Sequence, residues 1–313
     1  MRIAITGATG FLGRYLVAHL AEQGHHLRCW VRPTSDPGGI DGLASTITWV
    51  PGSLGREGVD RELVEGCDAV IHAALDRPGA GFRGEEGDLA DFVQTNVVGT
   101  IRLIEASRAA GVGRFVAIST CAVHDVILGD RPLDEAHPTW SASHYGAHKA
   151  AIEAFVHSFG FGLDYPICAL RPTGIYGLAR PAEASKWFGL IAAVARGEDV
   201  ECRKGGKEVH ALDVARAATL LLEADVARIK GQAFNCYDRY LSEYEVADYA
   251  RAVTGSRSVI SGAPSAPKHQ IAVGKLEALG MRFGGRPLLE RTVREIVAAT
   301  TLNAEAGQGS LRG

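Results

Sequence analysis

The sequence predicts an α/β fold in which a doubly wound parallel sheet is followed by a smaller mixed lobe. Short apolar segments alternate with longer helical patterns up to Arg171, which is typical of a parallel sheet with helices on both faces. The apolar segments are nearly continuous, as expected for strands buried on both sides. The predicted strands are Arg2–Thr6, Leu27–Val31, Ile47–Val50, Ala69–Ala73, Arg114–Ser119 and Ile167–Arg171, and the helices between them include Gly13–Gln23, Thr95–Ala110 and Tyr145–Phe159.

The composition is that of an ordinary globular protein. Of the 313 residues, 46% are hydrophobic and 22% are charged, and the net charge is −3. The sequence has no basic cluster and no apolar segment of about 20 residues, so neither nucleic acid nor a membrane is expected as a partner. The six cysteines form no CxxC pair, which favours buried free thiols over a metal site. The amino terminus leads straight into a strand, so we expect a cytoplasmic location.

A glycine-rich turn, TGATGFLG, follows the first predicted strand. Gly7 permits the tight turn, Gly10 lets the backbone approach a pyrophosphate, and Gly13 lets the next helix pack closely on the strand. Phe11 and Leu12 begin that helix, whose unpaired N–H groups and positive dipole end favour an anion. This strand–turn–helix context predicts a Rossmann-type dinucleotide site.

The end of the second strand indicates which dinucleotide binds. An acidic residue there usually binds the adenosine ribose, but this chain has Val31 followed by Arg32. Because a guanidinium pairs with phosphate in a fork geometry, the pattern favours NADP over NAD. In the alternative interpretation, Arg32 stacks on adenine or lies in solvent.

A second set of residues has the chemistry for proton transfer. Tyr145 and Lys149 stand four residues apart at the start of a predicted helix, which places both side chains on one face. A nearby ammonium stabilises a phenolate and lowers a tyrosine pKa from about 10 towards neutral pH. Thr120, with Ser119 as the competing candidate, ends the preceding strand and can hold a substrate oxygen.

Together these motifs resemble the extended short-chain dehydrogenases/reductases, also called the NAD-dependent epimerase/dehydratase family. The family's order and spacing are shared by TGATGFLG, DAVIHAA (Asp68–Ala74), TNVVGT, ISTCAV, YGAHK, LRPTGIYG and VHALDVARA. The resemblance covers residues 1–225 well and the remainder loosely. It implies a Rossmann domain over residues 1–171 to which 210–235 return, and a substrate-binding lobe formed by 172–209 and 236–302. Residues 303–313 are rich in Gly, Ser and Ala and are expected to form a flexible tail.

The resemblance also implies residue roles. Tyr145 resembles the catalytic acid/base, Lys149 its ribose-binding partner, and Thr120 the hydroxyl that orients the substrate. Asn96 resembles a helix asparagine that supports the active-site lysine through a water or the backbone. The remaining expected cofactor contacts are Ala73 and Ala74 along the adenosine and ribose, and Pro172 and Ile175 beside the nicotinamide.

The chain departs from the family pattern at three places. Cys121 and Ala122 replace the acid pair of the sugar dehydratases, which argues against a 4,6-dehydratase. Gly174 stands where enzymes of nucleotide sugars commonly carry an asparagine, and Gly206 where they carry a pyrophosphate-binding arginine. A nucleotide-sugar substrate is therefore disfavoured.

Further polar residues have open roles. His124 with Asp125, and His144 and His148 in the tyrosine helix, either contact the substrate or lie in solvent. The segment 76–92 carries two arginines and several glycines and resembles a mobile loop over the site.

The implied function is an NAD(P)-dependent oxidoreductase that transfers a hydride to or from a hydroxyl or keto carbon of a small substrate. Two alternatives stay open: a sugar or nucleotide-sugar epimerase that retains its cofactor, and a non-catalytic NADP sensor. The resemblance also implies a homodimer formed through the helices of Asn96 and Tyr145. Both helices carry apolar positions beyond one stripe, which are Val97, Val98, Ile101, Ala151, Ile152 and Phe155.

Overall fold

A computed structural model describes residues 1–77, 86–263 and 266–309 of the chain. The strands are β1 (Arg2–Thr6), β2 (His26–Val31), β3 (Ile47–Pro51), β4 (Ala69–His72), β5 (Arg114–Ile118), β6 (Ile167–Pro172), β7 (Gly174–Tyr176), β8 (Val200–Cys202), β9 (Gly205–His210), β10 (Gln232–Cys236), β11 (Arg239–Ser242) and β12 (Ile260–Gly262). The helices are α1 (Phe11–Glu22), α2 (Val59–Val64), α3 (Leu89–Val93), α4 (Gly99–Ala109), α5 (His144–His157), α6 (Phe188–Ala195), α7 (Ala211–Glu223), α8 (Val226–Ile229), α9 (Glu243–Thr254), α10 (Gly274–Ala278) and α11 (Gly285–Gly309).

The chain forms two compact units. The first contains Met1–Thr173, Leu212–Cys236 and Gln270–Arg282, and the second contains the intervening segments and the chain from Phe283 onward. The sequence interpretation assigned all of 236–302 to the second lobe, so the return of Gln270–Arg282 to the first unit differs from it. This segment is held there by Lys275, whose ammonium donates to the backbone oxygen of Ala233 at 2.8 Å.

The first unit is built on a parallel sheet. Within the described residues, seven strands pair in the order β10-β6-β5-β4-β1-β2-β3, all parallel. All residues of β4 and β6 are buried, because both faces of the sheet are covered. The predicted doubly wound parallel sheet is therefore confirmed. Only β10 was not among the predicted strands.

The helix predicted over Thr95–Ala110 is interrupted. Gln94–Val98 forms a π-helical turn between α3 and α4. Turns of this kind are frequent at functional sites because they change which side chains face inward. Here the turn contains Asn96, a predicted site residue that is buried.

The second unit is smaller and mixed. In its described part, β11, β9 and β7 form one sheet, in which β11 runs antiparallel and β7 parallel to β9. A separate parallel pair joins β12 to β8. Its core combines residues of α6, α9 and α11 with strand residues: Tyr176, Ile191, Val194, Cys202, Leu241, Val246, Ala247, Ala250, Leu289, Val293 and Ile296.

The carboxy-terminal segment is described only in part. The tail predicted over 303–313 extends beyond the described residues, and its described part continues α11 as far as Gly309, so its flexibility stays a prediction. The good helix formers Ala304, Glu305 and Ala306 extend the helix, and the first glycine after Gly285 comes only at Gly307. In the described residues, no helix is long and apolar enough to cross a bilayer.

Part of the apolar surface expected at a dimer interface is used inside the protomer. Val97 and Ile152 are 8% and 3% exposed, whereas Phe155 on α5 is 37% exposed. The exposed apolar surface on these helices is therefore smaller than the sequence indicated. The homodimer stays a prediction. All six cysteines are free; Cys121 is half-buried and the other five are buried.

Candidate active site

The glycine turn between β1 and α1 has room only for glycine. Gly7 adopts φ +74°, and a Cβ there would lie 2.8 Å from the carbonyl carbon of Ala73. A Cβ on Gly13 would lie 2.8 Å from the Cα of Ala8. Gly10 precedes α1 without a capping side chain, so the first N–H groups of this 12-residue helix stay available to an anion.

A buried hydrogen-bond chain holds this turn against the end of β4. Thr6 Oγ1 accepts from the N–H groups of Ala73 and Ala74, each at 3.1 Å. His72 bonds Thr6 Oγ1 through Nδ1 at 2.7 Å and Thr100 Oγ1 through Nε2 at 2.9 Å. Burial lowers the pKa of His72 to about 3, so the ring is neutral. Ala73 and Ala74 thus lie beside Gly7, and their contact with the adenosine and ribose stays a prediction. No local sequence pattern indicated the roles of His72 and Thr100.

Arg32 lies immediately after β2 with its side chain 56% exposed. Its guanidinium is 3.6 Å from a carboxylate oxygen of Asp76, which follows β4. Asp76 is positioned by Asn96, which accepts from its N–H and donates to its carbonyl oxygen, both at 2.8 Å. Asn96 also donates to the Phe92 oxygen at 3.0 Å. These direct bonds hold the segment after β4, and a water link from Asn96 to Lys149 stays a prediction.

Most of the predicted mobile loop lies outside the described residues. The structure describes positions 76, 77 and 86–92 of the segment 76–92, so Arg83 is not described. The described end is ordered into α3, where Asp88 caps the helix by accepting from the Asp91 N–H. The loop's role stays a prediction.

Helix α5 carries Tyr145 and Lys149, and several hydrogen bonds stabilise its first turn. Ser143 caps it by accepting from the Gly146 N–H at 3.1 Å. A carboxylate oxygen of Asp125 accepts from the hydroxyl of Ser141 at 2.8 Å. A Cβ on Gly146 would lie 2.5 Å from the Ala122 oxygen, so the glycine lets α5 approach the segment after β5. Asp125 therefore anchors this helix and is not a freely solvated residue.

Lys149 reaches the end of β5. Its ammonium donates to the Ile118 oxygen at 2.8 Å, and the side chain is buried. Burial lowers the pKa of Lys149 to about 8, while the carboxylate of Glu153 acts in the opposite direction. Tyr145 lies one turn earlier and is half-buried. The structure thus fixes Lys149 at the end of the strand that leads into Thr120, and the joint role of Tyr145 and Lys149 stays a prediction.

The two hydroxyl candidates at this strand end have different partners. Thr120 Oγ1 accepts from the Ala122 N–H at 3.1 Å, which leaves its own proton to donate. The Ser119 hydroxyl donates to a carboxylate oxygen of Glu153 and is buried. Only Thr120 therefore has a hydroxyl that is not committed to a buried side chain.

Beneath these residues lies a buried ion pair that the sequence did not indicate. Arg171 donates to Glu153 through Nε at 2.9 and 3.0 Å and through a terminal nitrogen at 2.5 Å. Both side chains are 2% exposed. A second guanidinium nitrogen lies 3.1 Å from His124 Nε2 and donates to the Glu135 oxygen at 3.2 Å. His124, for which a solvated position was one interpretation, is buried in this network, and burial lowers its pKa.

His148 is also buried, although a helix-surface position was one interpretation of the sequence. Its ring packs 4.9 Å from that of Phe92 and 5.3 Å from that of Tyr145, measured between centroids. Burial, followed by the charge of Lys149, lowers its pKa to about 3, so it is neutral. His144, at the start of the same helix, is exposed.

The last two predicted cofactor residues fall in different units. Pro172 is buried at the end of β6, and Ile175 lies half-buried in β7. Gly174, between them, pairs with Glu208 of β9. A Cβ on Gly174 would lie 2.5 Å from a carboxylate oxygen of Glu208.

Gly174→Ala is expected to lower the free energy of unfolding by about 1–3 kcal/mol, because the added methyl must displace a buried carboxylate. The matched control is Gly189→Ala on α6, where nothing lies within 4 Å of the added Cβ. There the smaller entropy of the unfolded chain should stabilise the protein by about 0.4–1 kcal/mol. Urea unfolding of both variants checks this, and equal effects at the two sites would contradict the crowding around Glu208.

Lys149→Met is expected to stabilise the protein at pH 7 by about 1–3 kcal/mol. A lysine ordinarily titrates near pH 10.5, but Lys149 releases its proton at about pH 8 in the folded state. Between these values the unfolded chain binds more protons, so wild-type stability rises with pH in this window. The advantage of the variant should therefore shrink as the pH rises from 8 to 10.

The measurement is urea unfolding at several pH values, with the surface variant Lys204→Met as control. The control should follow the wild-type pH dependence. A Lys149→Met variant that is less stable than wild type at every pH would show that the buried ammonium is not destabilising.

Comparison with known proteins connects this geometry to a family. Residues 3–236 match the model of the NAD dependent epimerase/dehydratase family. A 3-beta-hydroxysteroid dehydrogenase of Mycolicibacterium neoaurum is 32% identical over 199 residues, which cover 61% of this chain and 52% of that protein. A UDP-glucose 4-epimerase of Corynebacterium glutamicum is 28% identical over 278 residues, which cover 82% of this chain and 81% of that protein.

A solved structure extends the comparison to nearly the whole chain. The UDP-glucose 4-epimerase of Thermotoga maritima, solved with UDP-glucose, aligns with a TM-score of 0.77 at 21% identity. The alignment covers 97% of this chain and 100% of that one, which shows a shared fold. The chain spans about half the length of the first curated relatives it matches. Because the family match covers most of the sequence and the fold agrees with it, the chain belongs to the NAD dependent epimerase/dehydratase family, a group of extended short-chain dehydrogenases/reductases.

Proposed function

We propose that this protein is an NAD(P)-dependent oxidoreductase that transfers a hydride to or from a hydroxyl or keto carbon of a small substrate. One observation carries the proposal. The buried ammonium of Lys149, with its lowered pKa, is bonded to the Ile118 oxygen at the end of β5, two residues before Thr120 in the chain, and Lys149 lies one helical turn from Tyr145. Such a cation favours the phenolate form of a nearby tyrosine, which then accepts or returns a substrate proton.

The residues present are suited to a nicotinamide dinucleotide. The glycine turn excludes side chains and offers uncapped N–H groups, which suits a pyrophosphate. Ala73 and Ala74, whose side chains are small, would lie along the adenosine and ribose. Arg32 would bind at the adenosine end, and Lys149 would hold the nicotinamide ribose. When bound, the nicotinamide ring supplies a carbon that accepts or donates a hydride.

Three residues of the protein would transfer the proton and orient the substrate. Tyr145 takes the proton of the substrate hydroxyl during oxidation and returns it during reduction. Lys149 stabilises the phenolate through its charge. Thr120 orients the substrate oxygen with its uncommitted hydroxyl, a role that Ser119 is unsuited to because its proton is given to Glu153. Positioned proton transfer of this kind contributes about 10²–10⁴ in rate.

The proposal includes a preference for NADP. Strand β2 ends without an acidic residue. The guanidinium of Arg32 is exposed, and its partner Asp76 at 3.6 Å is exposed as well, so the guanidinium can turn to a 2′-phosphate. Arg32→Gln is expected to weaken NADPH binding by roughly 10- to 100-fold, because a charge-assisted hydrogen bond contributes about 1.5–3 kcal/mol. NADH binding should change little.

Fluorescence titration of both nucleotides measures this effect, with Arg61→Gln on the exposed side of α2 as control. An equal loss of affinity for NADH and NADPH would indicate that Arg32 contacts adenine and not a 2′-phosphate.

The first test of the function is the nucleotide itself. Protein purified without added nucleotide is denatured, and any released small molecule is identified by mass spectrometry. We expect an empty protein that binds NADPH more tightly than NADH. A protein that binds neither nucleotide would contradict the proposed function.

The second candidate is an epimerase that retains NAD. It is favoured by the likeness to a UDP-glucose 4-epimerase that extends over 82% of this chain. Near-stoichiometric NAD that survives dialysis would support this alternative and overturn the NADP preference. The glycines at positions 174 and 206 argue against a nucleotide-sugar substrate, since neither offers a side chain to a diphosphate.

A further inference from the structure

A buried histidine joins the end of β1 to the end of β4. His72 is the last residue of β4 and is 1% exposed. Its Nδ1 bonds the hydroxyl of Thr6 at 2.7 Å, and its Nε2 bonds the hydroxyl of Thr100 at 2.9 Å. Both threonines are completely buried. The direction of each bond therefore follows from the other hydrogen bonds that the two hydroxyl groups make.

The hydroxyl of Thr6 can act only as a donor towards His72. A hydroxyl group has one proton and two lone pairs. The N–H groups of Ala73 and Ala74 both donate to Thr6 Oγ1, each at 3.1 Å, and so occupy both lone pairs. The proton of Thr6 is then donated to Nδ1 of His72, which must be unprotonated.

The hydroxyl of Thr100 sets the opposite requirement at the other ring nitrogen. Thr100 lies on α4 and donates its proton to the Asn96 oxygen at 2.6 Å. Its oxygen then accepts from Nε2 of His72, which must carry the proton. The two threonines independently require the same form of the ring, neutral and protonated at Nε2. Burial and, after it, the charge of Lys149 oppose a second proton, since they lower the pKa of His72 to about 3.

The bond from Thr6 matters for the glycine turn because the segment after β4 touches that turn. A Cβ on Gly7 would lie 2.8 Å from the carbonyl carbon of Ala73 and 2.9 Å from the nitrogen of Ala74. These are the two residues whose N–H groups donate to Thr6. Without an acceptor at Nδ1 of His72, the buried hydroxyl would have to turn towards another acceptor, and its lone pairs would turn away from both N–H groups.

We propose that His72 is a positioning residue of the nucleotide site: as the acceptor of the Thr6 proton, it holds Ala73 and Ala74 against the glycine turn and so determines the affinity for the dinucleotide. The inference rests on the proposed binding of a nicotinamide dinucleotide and adds a residue that acts on it through Thr6. The role is indirect, because both ring nitrogens are already bonded to the protein.

Two substitutions separate the two bonds of His72. In His72→Asn, the side-chain oxygen lies near the position of Nδ1 and can still accept from Thr6. In His72→Gln, the side-chain nitrogen lies near the position of Nε2 and can still donate to Thr100. Each variant leaves one buried hydrogen bond unmade, so both should lose similar stability in urea unfolding.

NADPH binding should distinguish the two variants. His72→Gln is expected to bind NADPH about tenfold or more weakly than wild type in a fluorescence titration, because Thr6 has lost its acceptor. His72→Asn should stay within about threefold of wild type. The bond from Thr100 to Asn96 lies within one helical turn and does not depend on His72. A purely structural role would weaken binding equally in both variants.

Two spectroscopic measurements on the nucleotide-free protein test the hydrogen bonds directly. Nitrogen NMR of the imidazole should show His72 protonated at Nε2 only. Exchange of the Ala73 and Ala74 amide protons with solvent should be about tenfold or more faster in His72→Gln than in wild type, and close to wild type in His72→Asn. Ser107→Ala is the control, because it removes another buried hydroxyl, which donates to the Leu103 oxygen within α4. It should leave NADPH affinity and amide exchange unchanged.

The inference would be overturned by a His72 ring protonated at Nδ1, by equal NADPH affinities of the folded His72→Asn and His72→Gln variants, or by unchanged amide exchange in His72→Gln. Circular dichroism verifies folding. If His72→Gln does not fold, Thr6→Val replaces it, since valine keeps the shape of threonine but cannot accept from the two N–H groups. A wild-type affinity of Thr6→Val would then overturn the inference.

Failure of the proposed function would give a different result. A protein that binds neither NADPH nor NADH would contradict that function. The protonation of the His72 ring and the exchange of the Ala73 and Ala74 amides would still decide whether His72 holds the segment after β4.

Discussion

Replacing Tyr145 by phenylalanine is expected to lower turnover by about 10²–10⁴ while NADPH affinity stays close to that of wild type. The variant keeps the ring that packs 5.3 Å from His148 but has no group that can take the substrate proton. Lys149 keeps its bond to the Ile118 oxygen, so the remainder of the site should be unchanged. The loss should therefore appear in kcat and not in cofactor binding.

Turnover is followed by nicotinamide absorbance with a panel of uncharged ketones and alcohols, and the compound that wild type converts fastest is used for the variants. Tyr165→Phe is the matched control. Tyr165 is buried, but it precedes β6 and so lies at the opposite edge of the sheet. Wild-type-like turnover of Tyr145→Phe would exclude Tyr145 as the proton-transfer residue.

Replacing Glu153 by methionine is expected to lower the free energy of unfolding by about 3–5 kcal/mol, the largest stability effect anticipated here. Methionine is similar in size but uncharged, so it leaves the buried guanidinium of Arg171 without its carboxylate. It also removes the acceptor of the Ser119 hydroxyl. Urea unfolding followed by circular dichroism measures the change.

A double variant separates charge from packing. Glu153→Met/Arg171→Met removes both charges, and replacing a buried ion pair by apolar side chains is often neutral or stabilising. The double variant should therefore recover much of the stability that Glu153→Met loses. Glu290→Gln is the control, since its partner Arg286 is 69% exposed and exposed pairs contribute about 0–1 kcal/mol. A single variant as stable as this control would show that Arg171 does not depend on Glu153.

The fold was predictable because its determinants are local. Each of the six predicted strands is a continuous apolar segment, and the structure places each within two residues of its predicted bounds. The glycine turn was equally predictable from the sequence. A side chain at Gly13 would collide with the backbone a few residues earlier, and one at Gly7 would collide with the backbone just after β4. Strand β10 and the assignment of 270–282 to the first unit were harder to predict from the sequence, because both depend on contacts with segments far away in the chain.

The candidate site was predictable only in part. The tyrosine–lysine spacing on α5 follows from helical periodicity, so the sequence alone places both on one face. The choice between Ser119 and Thr120 needed the structure, because the buried carboxylate of Glu153 comes from 34 residues further along the chain. The same holds for His124 and His148, whose burial depends on what packs over them and not on their neighbours in sequence.

By itself, the sequence determined the parallel α/β architecture, the glycine turn and the tyrosine–lysine pair, because each depends on short-range periodicity or on backbone space. The tertiary structure alone decided which charged groups pair: Glu153 with Arg171, both buried, and the buried Glu208 with the half-exposed Lys186. Such pairs join residues 18 and 22 positions apart. Their charges are tolerated inside the protein because each has its partner within hydrogen-bonding distance.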